Sequence, residues 1–217
     1  MRPVHWRSRP ARVATGSRWW IGMTVAGAVL AAGTMAVDAG PTAAATVQFA
    51  RFNARAVTHH LFWTDYDTGT IHEANLDGSN RHVIVRGQFG AGLMTASSSH
   101  IYWADESAGT IMSANLDGTS TTTLVSAQGS PFGVAVNGRH IYWANQNGTI
   151  GDANLDGSNP QTIVTSQGLP TGVAVSGFHV YWTDQFADTI DAASLAGGHQ
   201  KILASGQSRP IGVAIGP

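Results

Sequence analysis

The chain has 217 residues, enough for one domain with a sizeable core. It contains no Cys, which excludes a disulfide framework, a thiol nucleophile and a thiolate metal site. Charged residues are only 12% of the chain while Gly numbers 26, a balance that suits short strands and Gly-rich turns better than charged amphipathic helices.

The first 45 residues stand apart. Arg2, Arg7, Arg9, Arg12 and Arg18 form a basic leader, and Trp19 to Val37 then runs without a charge. Ala43-Ala44-Ala45 follows, an A-x-A cleavage pattern. This order predicts a helical signal peptide over residues 1–45, cut after Ala45. An uncleaved anchor is the alternative, because the apolar run is near spanning length. Residues 46–59 form a lead-in to the region 60–217. Without the leader, seven cationic side chains face twelve acidic ones, a net charge of −5. That leaves no electrostatic footprint for nucleic acid. No basic amphipathic stretch suits a membrane surface, so any membrane contact is confined to the N-terminal anchor. The expected location is secreted or at the cell surface.

From residue 60 onward the sequence repeats itself. His60-Leu61-Phe62-Trp63-Thr64-Asp65 returns as His100-Ile101-Tyr102-Trp103-Ala104-Asp105. It returns again as His140-Ile141-Tyr142-Trp143-Ala144-Asn145 and His179-Val180-Tyr181-Trp182-Thr183-Asp184. The spacings are 40, 40 and 39 residues, the short one reflecting a deletion in the turn after Trp143. Ile71, Ile111, Ile150 and Ile190 follow, then Leu76, Leu116, Leu155 and Leu195. Three copies next read Asp77-Gly78, Asp117-Gly118 and Asp156-Gly157, while the fourth has Ala196-Gly197. Each copy closes with a short apolar run and then a Gly-Val-Ala-Val type run, degraded at Leu93 to Ala96.

Four short apolar runs per repeat, punctuated by Gly, Asn and Asp, predict four antiparallel strands. Such a repeat of about 40 residues is one blade of a β-propeller. Gly-Val-Ala-Val is the inner strand, Ile-Tyr-Trp the second, Thr-Ile-x-x-Ala-Asn-Leu the third, and the run after Asp-Gly the outer one. The fold class is all-β, with four four-stranded blades. The Trp at one fixed position in every copy predicts an aromatic wedge between neighbouring blades.

These residues resemble the YWTD, or low-density-lipoprotein-receptor class B, repeat over about 160 residues. Phe62, Asn145, Ala104 and Ala144 depart from its Tyr-Trp-Thr-Asp core. The resemblance implies an extracellular binding or ligand-release module on a six-bladed ring. Here four repeats stand in place of six. The terminal Arg209-Pro210-Ile211-Gly212-Val213-Ala214-Ile215 is a fifth inner strand with no blade after it, and Phe52 to Val57 is a poor one with Arg55 where Ala belongs. Two readings stay open. The C-terminal strand completes the first blade and closes a four-bladed ring, or the blades form an open arc. Blades shaped for six turn about 60° each, against about 90° for four. An open arc exposes apolar faces and invites self-association.

The repeated Asp65, Asp105 and Asp184 read as blade-internal acceptors rather than a carboxylate ring. Asp77, Asp117 and Asp156 read as turn formers. His60, His100, His140 and His179 are expected on the bottom rim of separate blades, too far apart for one metal ion. No metal site, catalytic set or cofactor is expected. Function in repeat proteins sits where copies differ, on the loops of one face. The loops after Trp and those leading into the inner strands meet that description, with Gln88 and Phe89 among the latter. Tyr66, Phe89, Glu106, Phe132, Gln185, Phe186 and Arg209 are therefore the candidate ligand-binding residues, for a protein or carbohydrate outside the cell. The expected function is non-catalytic binding. The alternatives are a propeller enzyme of lactonase, lyase or sugar-dehydrogenase type, with Asp67, Glu106 and Glu73 as the unrepeated acids, or an incomplete propeller that assembles with a second chain.

Overall fold

A computed structural model describes residues 59–165 and 167–216. The expected signal peptide, its anchor alternative and the Phe52 to Val57 strand lie outside the described residues. Fifteen strands and no α-helix occur among the described residues. The first blade holds β1 (His60–Asp65), β2 (Thr70–Asn75) and β3 (His82–Arg86). The second holds β4 (Ala91–Ala96), β5 (His100–Asp105), β6 (Thr110–Asn115) and β7 (Thr122–Val125). The third holds β8 (Pro131–Val136), β9 (His140–Asn145), β10 (Thr149–Asn154) and β11 (Gln161–Val164). The fourth holds β12 (Pro170–Val175), β13 (His179–Asp184), β14 (Thr189–Ser194) and β15 (Lys201–Ala204). Within each sheet the strands follow chain order and pair antiparallel.

The repeat fixes the register as well as the strand count. Trp63, Trp103, Trp143 and Trp182 stand opposite His72, Met112, Gly151 and Asp191. A bulge recurs between the third and outer strands at the same place in all four blades. The turn between β9 and β10 is one residue shorter than its counterparts, which accounts for the 39-residue spacing.

Side-chain alternation gives every blade two unlike faces. Tyr102, Ala104, Ile111 and Val125 of the second blade pack against Val134, Ile141, Trp143 and Ala153 of the third. The third meets the fourth in the same way, through Tyr142 and Ile150 against Val180 and Trp182. The first meets the second through Phe62, Ile71 and Val85 against Ile101 and Trp103. Each blade thus turns its tyrosine (or Phe62) face to the tryptophan face of the next. Trp103, Trp143 and Trp182 are fully buried, whereas Trp63, with no blade before it among the described residues, is only half-buried.

The four blades form an open arc among the described residues, the second of the two readings that the sequence left open. Pro210 to Ile215 form no ladder with β1, and the first blade shows three strands among the described residues. The reason is local. Thr183 Oγ1 donates to the Ile211 carbonyl at 3.1 Å, and Thr171 Oγ1 to that of Pro210 at 3.3 Å. Thr64 makes the equivalent bond to Gly92 O at 2.7 Å, across the junction of the first two blades. The C-terminal segment is therefore held where the inner strand of a following blade would begin, and β1 does not stand there.

Burial differences translate into stability differences. Trp103→Ala is expected to cost about 3–5 kcal/mol, as for buried aromatics in general. Trp63→Ala is expected to cost clearly less, because its indole is partly in solvent. Urea denaturation of the two variants checks the ranking.

Candidate functional site

The acids that recur in three of the four blades are used inside the blades. Asp65 and Asp105 accept the backbone N–H groups of Thr68 and Ala108 at 3.2 and 2.9 Å. Asp184 accepts four, from Gly168, Leu169, Phe186 and Ala187, and so pins both top-face loops of its blade. Burial opposes ionisation of Asp184, but these donors together outweigh it and hold the carboxyl below the ordinary aspartate range. Asp77, Asp117 and Asp156 each bind the backbone N–H and hydroxyl of the residue two further on, and those bonds lower their carboxyls too. Both sets act as the sequence suggested, as acceptors and turn formers.

The histidines are likewise separate. His60 Nδ1 lies 2.5 Å from Glu73, His140 Nδ1 lies 2.7 Å from Asp152, and His100 Nδ1 pairs with Ser99 Oγ at 2.8 Å. Glu73, one of the unrepeated acids, thus sits between His60 and His82. Among the described residues no three His, Asp or Glu side chains gather as a metal-sized cluster.

The candidate recognition residues fall into two groups and one singleton. Tyr66 and Glu106 meet across the first junction, the phenol donating to Oε2 at 2.8 Å. That bond, and then the charge behind it, raise the Tyr66 phenol above its usual range. Phe89, 63% exposed, is held beside them by the Gly90 N–H to Tyr66 carbonyl bond. Gln185, Phe186 and Arg209 form the second group with Leu169 and Asp188, around an open pocket of about 330 Å³. Phe186 is 83% exposed, and the Arg209 guanidinium lies 3.5 Å from Gln185 Oε1. The Asp188 carboxylate fixes the Arg209 backbone, whose φ is +50°. Phe132 belongs to strand β8 and is half-buried, one blade beyond Glu106. The two loop sets are tied together in the second, third and fourth blades, by Glu106 N–H to Gly90 O, Gln146 N–H to Ser130 O and Gln185 N–H to Leu169 O.

One repeated feature was missed. The indole N–H of Trp103 donates to Gln88 Oε1 at 3.1 Å, that of Trp143 to Gln128 at 2.7 Å, and that of Trp182 to Gln167 at 3.2 Å. Gln88 is therefore a structural residue, not one of the variable loop positions. The signal was present in the sequence as a Gln fifteen residues before each of these Trp.

Comparison with known proteins agrees with this geometry. Residues 99–136, which span β5 to β8, match the model of the low-density lipoprotein receptor repeat class B. Within that stretch the chain carries one such repeat. A chain of the crystal structure of a nidogen/laminin complex superposes with a TM-score of 0.64 at 25% identity, covering 70% of this chain. This chain spans 64% of the length of that one. A computationally designed protein, Ika8, is similar in fold, with a TM-score of 0.53, 16% identity, and coverage of 73% of this chain and 50% of the designed one. No curated protein matches the sequence. The YWTD match begins at the second strand of a blade and ends with the inner strand of the next, so the repeat unit in sequence straddles a junction in space.

Beside Trp182, Asp184 and Asp191 share the wall of a second pocket. Burial raises the Asp191 carboxyl, against a 2.5 Å bond from Thr189, and the Asp184 charge adds to the rise. The two acids respond to pH in opposite senses. Asp184 has a folded pKa below its unfolded one, so its stabilisation is present above about pH 4 and is lost as pH falls through the folded value. Asp191 has a raised folded pKa, so its contribution is present in acid and is lost as pH rises through that value. Asp184→Asn, which turns an amide donor toward backbone donors, is expected to cost about 1–3 kcal/mol at pH 7. The deficit is expected to shrink at pH 3. Urea denaturation at the two pH values reads it.

Proposed function

We propose that the protein is a non-catalytic extracellular binding module that uses its top face to hold a protein or carbohydrate ligand. One observation carries this reading. The polar groups common to the blades are engaged in blade-internal bonds, whereas exposed Tyr66, Phe89, Phe186 and Arg209, with half-buried Glu106 and Gln185, supply unlike side chains in two loop groups, Tyr66 with Glu106 and Gln185 with Arg209. Large aromatics and Arg dominate recognition surfaces. Catalysis needs an acid and a base in unlike environments, and of the unrepeated acids Glu73 is paired with histidines while Glu106 accepts from Tyr66. The nidogen/laminin structure, a complex between proteins, supports the choice of a protein ligand. Residues 1–45 support export through their leader pattern.

The test presents the full chain to arrays of purified cell-surface proteins and of glycans, and titrates what it captures. Phe132→Ala and Arg209→Ala are each expected to weaken that binding at least about fivefold, the loss of one hot-spot residue. His100→Ala is expected to leave it unchanged. Turnover of a lactone, a polyuronide or a free sugar by the chain would overturn the reading.

A further inference from the structure

The blades differ at one position of otherwise shared register. It is the third-strand residue opposite the tryptophan, which is His72, Met112, Gly151 or Asp191. His72 lies flat against the Trp63 ring, with centroids 5.1 Å apart and planes within 5° of parallel. Met112 packs into the core cluster that holds Trp103. Gly151 adds no side chain, and the Trp143 ring takes the space instead, one of its atoms 2.3 Å from where a Cβ would stand. Each of these suits an indole, whose ring face is electron-rich.

Asp191 does not. It brings a carboxylate toward that ring, and the residue is only 7% exposed. Beside it opens a cavity of about 390 Å³ whose walls include Trp182, Ala187 and Ile202. The tryptophan face of the fourth blade is turned to the third, so the cavity belongs to a junction whose two sheets are both described. Thr189 Oγ1 donates to Asp191 Oδ2 at 2.5 Å, and among the described residues no donor reaches Oδ1. Asp184 stands on the same wall. Four backbone N–H groups occupy its oxygens, so it adds negative charge to the cavity but little acceptor capacity. Exposed Lys201 also lines the cavity, yet it pairs with neither acid.

We propose that this cavity is a binding site for an alkylammonium ion. The ammonium donates to Asp191 Oδ1, the charge of Asp184 and the Trp182 ring both attract it, and Ala187 and Ile202 cover its methylenes. A cation resolves what the fold leaves unresolved at this position, because it suits the carboxylate and the indole at once. The volume exceeds the needs of a bare ion. Among the described residues no third His, Asp or Glu joins the two acids, as a metal-sized cluster requires. The site stands apart from the top-face reading, since neither Phe132 nor Arg209 lines it, and either can fail alone.

Titration of the isotope-labelled full chain with n-butylammonium chloride, followed through the indole N–H resonances, tests the proposal. The Trp182 resonance is expected to shift and saturate, while those of Trp103 and Trp143 stay in place. Neither n-butanol, which has the same stem without the charge, nor sodium chloride at equal ionic strength is expected to move any of the three. Asp191→Asn is expected to weaken binding at least about tenfold, the loss of a charged acceptor. Unmoved Trp103 and Trp143 resonances show that this variant is folded. Lys201→Met is expected to tighten binding, because it removes a like charge from the wall. The absence of a saturable Trp182 shift in the unaltered protein overturns the proposal. So does an equal response to n-butanol, undiminished binding by Asp191→Asn, loss of binding in Lys201→Met, or displacement of the amine by an equal concentration of calcium chloride.

Discussion

A four-stranded sheet of this kind cannot bury its own two faces, and the junction between blades is the constraint on which the structure depends. An indole is the right filler for it. The ring covers a large apolar area, while its one polar atom must find an acceptor once water is excluded. The glutamine before each inner strand provides that acceptor and at the same time binds its own blade through the backbone. Removing the glutamine would strand a buried N–H, and removing the indole would leave a cavity. Position 151 shows how tightly the space is used. Gly151 lies beneath the Trp143 ring so closely that a Cβ there would overlap it.

This economy bears on what the protein can do. Carboxylates and imidazoles that look like chemistry in the sequence serve turns, loops and paired strands in the structure. Asp184 illustrates the trade. It is 2% exposed, and four backbone donors hold its charge in place. A carboxylate so engaged has little capacity left for a metal or a substrate proton. What the repeats leave over are the dissimilar loop side chains of Tyr66, Phe89, Gln185, Phe186 and Arg209.

Much of the fold was legible because the period was. The constant spacing of Trp63, Trp103, Trp143 and Trp182 placed the second strand in every copy, and Leu-Asp-Gly placed the turns. The degraded Leu93 to Ala96 run still folds as β4, because its neighbours on both sides fix its register. Less legible was whether the arc closes. That depends on the angle between sheets, which is set by backbone contacts such as Gly92 against Phe132 O and Gly172 against Ile211 O. No residue type announces such an angle. Among the site residues, the pairing of Tyr66 with Glu106 and of Gln185 with Arg209 joins positions 40 and 24 residues apart. The sequence placed them on one face without showing which would touch. Phe132 was expected in a loop, and the strand begins one residue earlier, at Pro131.

The threonines of the YWTD core have their own consequence. Thr64 and Thr183 tether the outermost junctions through a hydroxyl, while Ala104 and Ala144, both fully buried, occupy the two inner ones. The extra bond therefore sits where, among the described residues, each sheet has a neighbouring sheet on one side only. Local opening in stacked repeats begins at the ends and moves inward. Tethers at Thr64 and Thr183 oppose opening at these two sheets, so slower amide exchange is expected in the second and third blades than in a repeat array without them.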